Sequence, residues 1–444
     1  MRVLIVDPAG AGLDIAMRAI RDGHDVRHYI RSTEKTKNIG KGMVRLVDDY
    51  APWMRWADLI INTDNTKYLR DLDAFKKAEP RARIVSASME TAAWELDREV
   101  GQKILKKAGV AVPPFKMFND YDTAMKYVTR ENRRFVSKPS GDADKALSYV
   151  AKTPADLVYM LQRWKKAGKN AQPFILQEFI PGIEMAVGGW FGPHGFNVGW
   201  CENWEFKKLM DGDLGVNTGE QGTVMRYVKK SKLAEKVLAP VAEALAAARY
   251  VGYVDVNCII DEDGTPWPLE FTMRPGWPCF NIQQALHIGD SIEWLANLAD
   301  GKDARNTLLD LIAVGVVLSI PDYPYSHITR KDVTGVPIYG IQPSMWNHLH
   351  PCEVMMGEAP QEIDGKIVNA PIPVTAGDYV MVVSATGETV YQAKQKAYRR
   401  LKKLTVPNSP MYRTDIGDRL SKQLPKLQEM GYAMGMEFST AQPS

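Results

Sequence analysis

Glu270, Thr272 and Arg274 stand at alternate positions of the run Pro266-Trp267-Pro268-Leu269-Glu270-Phe271-Thr272-Met273-Arg274. A strand turns alternate side chains to one face, so a carboxylate, a hydroxyl and a guanidinium would project together. Carboxylate and hydroxyl oxygens suit Mg2+, and a guanidinium grips phosphate. That layout would serve to open a nucleoside triphosphate at its γ-phosphate. Upstream, residues 253–260 run into the turn Asp261-Glu262-Asp263-Gly264, which predicts a hairpin returning as this strand. Asn257 lies thirteen residues before Glu270, so across the hairpin it would face the same ion. Tyr253 and Asp255 share its spacing and would line the same cleft. Taken alone, the stretch also reads as an exposed strand with one ion pair.

Elements must position these groups. Residues 1–92 read as a small α/β unit: a buried strand at 3–6, a turn at 8–12, a helix to Gly23, and strands at 25–30, 58–62 and 83–86. The turn Ala9-Gly10-Ala11-Gly12 lacks the full G-x-G-x-x-G, so a nicotinamide site is a weak alternative, but the turn could cradle a phosphate at the helix N-terminus. A helix over 95–107 stops at Gly109 with Pro113-Pro114 beyond it. A small α+β unit follows to about residue 183, with strands at 134–139 and 174–180 and a helix over 154–167. A long helix, 232–249, precedes the hairpin. From 312 onward, strands at 313–320 and 379–384 flank a helix over 389–404. The chain divides into 1–92, 93–300 (with the small unit at about 115–183) and 301–444.

At 444 residues the chain exceeds one compact domain. Hydrophobic residues make up 45% and charged residues 25%, the mix of a globular protein in water. A net charge of +3 gives no dedicated nucleic-acid or membrane surface. No run reaches about 18 apolar residues, and the N-terminus is apolar too briefly for a signal peptide. Cys201, Cys258, Cys279 and Cys352 lack C-x-x-C spacing and read as reduced thiols of a cytoplasmic protein. Two histidines of His348-Leu349-His350-Pro351-Cys352 would share a strand face, yet zinc wants a fourth ligand. The basic run at 394–403 reads as a solvated helix face, Trp53, Trp56 and Trp94 as packing residues, and the tail after Gly435 as loose.

Further motifs, in order along the chain, give it a likeness. Lys138-Pro139-Ser140-Gly141 looks like a nucleotide lysine opening a glycine-rich loop. Leu176-Gln177-Glu178-Phe179-Ile180-Pro181-Gly182-Ile183-Glu184 is similar to a hinge E-E-F-L-x-G-E-E. Residues 207–219 are similar to K-R-x-x-D-x-D-x-G-P-N-T-G, and 269–274 to I-E-F-N-C-R. Residues 383–393 resemble T-A-x-G-x-T-V-x-E-A, and Arg413-Thr414-Asp415-Ile416-Gly417 resembles R-x-D-I-G. The chain thus resembles the ATP-grasp ligases and, through the last two motifs, the phosphoribosylamine–glycine ligase family among them.

The resemblance implies an α/β chain: an ATP-grasp fold of two α+β subdomains clasping the nucleotide, an N-terminal Rossmann-like domain and a small C-terminal α/β domain. It implies ATP with Mg2+ or Mn2+, amino-acid and amine substrates, an acyl-phosphate intermediate, a place in purine biosynthesis, and a monomer or homodimer. Lys138, Ser140, Gly141, Glu178, Phe179, Ile180 and Glu184 would bind ATP, Glu184 through ribose hydroxyls. Glu270, Thr272 and Asn257 would hold the metal. Arg274, Asn217 and Lys207 would serve catalysis, and Gly10, Asn65, Thr218, Gly219 and Gly276 the substrates. The unit at about 115–183 would close as a lid and keep water from the acyl phosphate. Departures gather on the amine side. Residues 9–16 stand for G-G-R-E-H-A with neither arginine nor histidine, and 62–69 stand for G-P-E-x-P-L. The loop after Gly141 is poorer in glycine, Thr272 replaces a metal-binding asparagine, and Arg98 and Gln102 replace two lysines. Two alternatives follow: the same chemistry on a different amine, or a non-catalytic nucleotide-binding relative.

Overall fold

The computed structural model describes residues 1–139, 147–169, 173–197, 199–302, 308–325, 331–407 and 409–439. The strand Arg2–Asp7 is buried beyond its first residue, since helices cover both faces of its sheet. That sheet is parallel throughout, in the order Leu46–Val47, Asp25–Ile30, Arg2–Asp7, Leu59–Asn62, Ile84–Val85. This is the small α/β unit expected from the apolar runs, and the Rossmann-like start that the resemblance implied.

A separate antiparallel sheet orders Phe115–Phe118, Phe174–Glu178, Phe135–Pro139 and Tyr149–Val150. The helices Tyr121–Glu131 and Pro154–Lys166 accompany it. Thr153 and Asp156 start the second of these with a reciprocal capping box, and Pro154 follows at the first helical position.

The largest sheet carries the hairpin at one edge. Its order is Pro266–Thr272, Gly252–Ile260, Ile183–Gly192, Trp200–Met210, Leu214–Val228, Ile312–Ser319, Tyr379–Gly387, Leu349–Pro351. It crosses residue 300 without a break, because Leu214–Val228 pairs with Ile312–Ser319. One core therefore runs from Val187, Trp204 and Phe271 to Val314, Val383 and Ala393.

Four expectations need correction. The helix over 95–107 is two, Met89–Leu96 and Arg98–Lys107, because Asp97 leaves helical geometry and its carboxylate caps the Glu99 and Val100 amides. The helix over 232–249 is broken into a π-turn Ala234–Leu238, a 3-10 turn Ala239–Val241 and a short helix Ala242–Ala247, since Pro240 has no amide to donate. The tail is docked as far as Phe438: the Val390 and Tyr391 amides donate to the Glu437 and Phe438 carbonyls. The basic run is only partly solvated, as Lys394 is buried against Asp418 and Arg400 donates to the Ser384 carbonyl. Trp94 does pack, against Phe271 in the core. Among the described residues, no helix is long and apolar enough to cross a membrane.

Candidate active site

The hairpin register sets Asn257 opposite Glu270 and Asp255 opposite Thr272. Glu184 and Lys207, from the two neighbouring strands, complete one charged cluster. The Lys207 ammonium lies 2.9 Å from Glu205, 3.1 Å from Glu184 and 3.6 Å from Glu270. The other Glu270 oxygen is 2.6 Å from the Arg98 guanidinium. Asn257 Nδ2 donates to Glu184 and to Glu205, 2.9 Å each. Asn257 Oδ1 is buried and has no partner.

Burial and charge compete throughout this cluster. Burial works to raise Glu270, but Arg98, Lys207 and Lys138 hold it well below the usual carboxylate range. Burial would likewise raise Glu184, yet Lys207 and Arg419 draw it down. Burial works against the Lys207 charge, and the three carboxylates around it hold it well above the lysine range. Lys138 has the opposite balance: desolvation lowers it to about 8, with Arg98 and Lys207 adding to the effect and Glu270 opposing it. Glu220 is pushed well up by burial and by Glu205, and Asp255 rises to about 7 for the same two reasons.

This donor set fits a magnesium ion. The Glu270 carboxylate, the Thr272 hydroxyl and the unpartnered Asn257 Oδ1 are hard oxygens on one hairpin. Lys138, on the strand Phe135–Pro139, brings a positive charge to the same cluster from the antiparallel unit beside it.

Residues 97–279 match the model of the phosphoribosylglycinamide synthetase ATP-grasp (A) domain, and residues 313–419 match that of its C domain. The chain belongs to the phosphoribosylglycinamide synthetase family. It is therefore an ATP-grasp ligase that forms carbon–nitrogen bonds, with ATP and Mg2+. The phosphoribosylamine–glycine ligase of Haemophilus influenzae is 26% identical over 361 residues, 78% of this chain and 80% of that one. That of Streptococcus pyogenes is 24% identical over 389 residues, 83% of this chain and 85% of that one. The solved phosphoribosylamine–glycine ligase of Thermotoga maritima superposes with a TM-score of 0.71 at 19% identity, over 94% of this chain and 100% of its own. An L-amino acid ligase from Bacillus licheniformis gives 0.58 at 14%, over 92% and 99%. At these identities the two structures share the fold.

The synthetase-like motifs do not all converge on the cluster. Glu178 is 2.7 Å from Arg133, at the hinge, where Arg134 stacks 3.5 Å from the centre of the Phe179 ring; Ile180 follows, half-buried. Asn217 and Gly219 are exposed on the strand Leu214–Val228, while the Thr218 hydroxyl turns to the Lys207 carbonyl at 2.8 Å. Arg274 lies past the strand end, 3.5 Å from Glu95. Gly276 opens the turn into the short helix Cys279–Gln283, its carbonyl taking the Phe280 amide at 2.7 Å. Ser140, Gly141 and residues 142–145 lie outside the described residues. Glu205 went unnoticed in the sequence, although its place two residues before Lys207 on a strand was a readable signal.

At the N-terminal loop, the expected phosphate cradle is already filled. The Asp7 carboxylate accepts the amides of Ala9 (3.0 Å), Gly10 (2.8 Å) and Gly12 (2.6 Å), and His28 Nε2 lies 3.2 Å away. Gly10 is glycine for packing, since its φ is +86° and a Cβ would stand 2.8 Å from Ile39. His350 is no metal ligand: it is fully buried between Asp14 (2.9 Å) and Ser384 (2.8 Å), joining the N-terminal unit to the large sheet. Among the described residues, no group of three or more His, Cys, Asp or Glu could hold a metal.

Proposed function

We propose that this ligase activates a small amino acid as an acyl phosphate and passes the acyl group to an amine, with glycine and phosphoribosylamine, the substrates in its relatives' name, as the parent pair. The observation that supports it best is the Lys207 ammonium set among Glu184, Glu205 and Glu270, with Asn257 Oδ1 free beside them. In the first step a carboxylate oxygen attacks the γ-phosphorus and ADP leaves. In the second, the amine nitrogen attacks the acyl carbon, inorganic phosphate leaves, and the amine gives up a proton. Such transfers need positioning and charge neutralisation more than a strong base.

Each residue has a task in that scheme. Lys138, as a point charge, would hold the α- and β-phosphate oxygens. Glu178 and the backbone of Phe179 and Ile180 would meet the adenine edge at the hinge, Arg133 releasing Glu178. Glu270, Thr272 and Asn257 would hold Mg2+, which when bound neutralises the phosphates and aligns them for in-line attack. Lys207 would then turn from the carboxylates to the transferring phosphoryl oxygens, and Arg274 to the acyl phosphate. Asn217 and Gly219 would offer donors to the carboxylate substrate. The protein would work in the cytoplasm, within purine biosynthesis.

A second reading, the same chemistry on a different amine, draws on the N-terminal loop, whose amides are taken by Asp7. The test is ADP release from ATP, Mg2+ and glycine, with and without phosphoribosylamine generated in place, and mass analysis of the product. Glycinamide ribonucleotide, formed only with both substrates, supports the parent pair. A different amide from an amine panel supports the second reading.

A further inference from the structure

Asp14, Met17, Arg18 and Arg21 recur at helical spacing in Leu13–Arg21 and so share one face of that helix. The face meets the edge strand Leu349–Pro351 of the large sheet, and between them lies a cavity of about 210 Å³. Trp346, Leu349 and Pro351 form its opposite wall. None of these residues belongs to the cluster around Lys207. The cavity is therefore a second one, half charged and half apolar. Its volume is below the usual range for drug-sized ligands, so its occupant is a small molecule.

Arg18 is the buried cation of this cavity, exposed by only 7%. Its Nη1 donates to the Gln284 carbonyl at 2.8 Å, but its Nε is buried without an acceptor. Among the described residues, no carboxylate forms an ion pair with it. Burial works against its charge, and Asp14, one helical turn back, opposes that effect from longer range. Asp14 is itself engaged: its Oδ2 lies 2.9 Å from His350 Nδ1 and accepts Asn281 Nδ2 at 3.4 Å. A helix dipole favours cations in the last turn, where Arg18 and Arg21 stand, but it does not call for burying one. A buried guanidinium with an idle N–H is costly unless an anion meets it. Arg21, exposed three residues on, brings a second guanidinium to the same cavity. Asp22, exposed beyond the helix end, is not among the walls.

We propose that this cavity is a binding site, apart from the nucleotide cluster, for a small monocarboxylate with an apolar body. Arg18 Nε and the Arg21 guanidinium would take the carboxylate, whose two oxygens match the fork of guanidinium donors. Met17, Trp346, Leu349 and Pro351 would cover the apolar body. The walls carry two positive charges against one negative, so a single negative charge balances them. A phosphate dianion would bring surplus negative charge beside Asp14. An occupant would also clamp the N-terminal unit onto the large sheet, since the helix belongs to one and the strand to the other.

The test titrates the full chain by calorimetry, without ATP, against 3-phenylpropionate, its neutral amide and inorganic phosphate. The carboxylate should bind with a Kd of about 1 mM or tighter, and the amide and phosphate about tenfold more weakly, the amide for want of a charge-assisted bond. Equal binding of the amide, tighter binding of phosphate, or no binding of the carboxylate overturns the proposal. Two variants then place the ligand. Arg18→Met should abolish binding, and Glu270→Gln, in the nucleotide cluster, should leave it unchanged. Binding kept in the first or lost in the second overturns the assignment to this cavity. If Arg18→Met does not fold, Arg21→Gln decides, because its position is exposed. It should weaken binding by about threefold, the worth of one partly exposed ion pair, and an unchanged Kd overturns the proposal.

Discussion

In the proposed scheme, charge at single residues governs the nucleotide step. Lys138 sits at about 8 because burial and the neighbouring Arg98 and Lys207 disfavour its charge. Nucleotide phosphates favour the ammonium form, so binding raises its proton affinity and protons are taken up near pH 8. ATP affinity should therefore fall as pH rises through about 8, and calorimetry in two buffers of different ionisation enthalpy should register the uptake. Glu270 has the reverse character: Arg98 and Lys207 keep it ionised well below neutral pH, ready to hold a cation. Glu270→Gln should cut ADP release by at least ~10²-fold, as expected when a metal site worth several kcal/mol is spoiled, while the circular dichroism spectrum stays unchanged. Much at this scale was legible. The alternation of Glu270 and Thr272 and the spacing to Asn257 pointed to one face, and the register agrees. The anionic character of the N-terminal loop was not legible, because it depends on Asp7 folding back onto amides two to five residues ahead.

Among the elements, the strands Trp200–Met210 and Leu214–Val228 carry Glu205, Lys207 and Thr218, and the C-terminal segment clamps their connection. Arg413, almost wholly buried, reaches Asp213 at 2.9 Å, Asp415 at 2.7 Å and the Lys208 carbonyl at 3.0 Å. Thr414 bonds Asp211 through its amide and hydroxyl. The motif at 413–417 is thus a latch that fixes the strands beneath Lys207. Arg413→Ala should lower stability by about 2–4 kcal/mol, read as a shift in denaturant midpoint, because it removes a buried, multiply bonded side chain. Local signals placed the hairpin, the first strands and the capped helix Pro154–Lys166. They failed where burial on both faces erased alternation, as in Ile183–Gly192, whose last eight residues are all buried. They failed also where one residue broke a periodic run, as at Asp97 and Pro240.

Across the molecule, the ATP-grasp unit and the C-terminal elements share one sheet, and His350 ties that sheet to the N-terminal unit. Asp14 is buried there, and His350 and Arg18 oppose the effect of burial to keep it ionised. His350→Phe would strand that carboxylate and should cost about 3–5 kcal/mol, visible as a lower midpoint in thermal melts. Sequence alone could not foresee this tie, since Asp14 and His350 lie 336 residues apart. The whole arrangement brings the charges of Lys138, Lys207 and Glu270 into one cluster, and the central claim is that a carboxylate is activated there by phosphoryl transfer. The most direct test uses an amino acid carrying isotopically heavy oxygen in its carboxylate, turned over with ATP, Mg2+ and hydroxylamine. An acyl phosphate requires heavy oxygen to appear in the inorganic phosphate released, with ADP as the nucleotide product. Unlabelled phosphate, or label found in AMP, would contradict it.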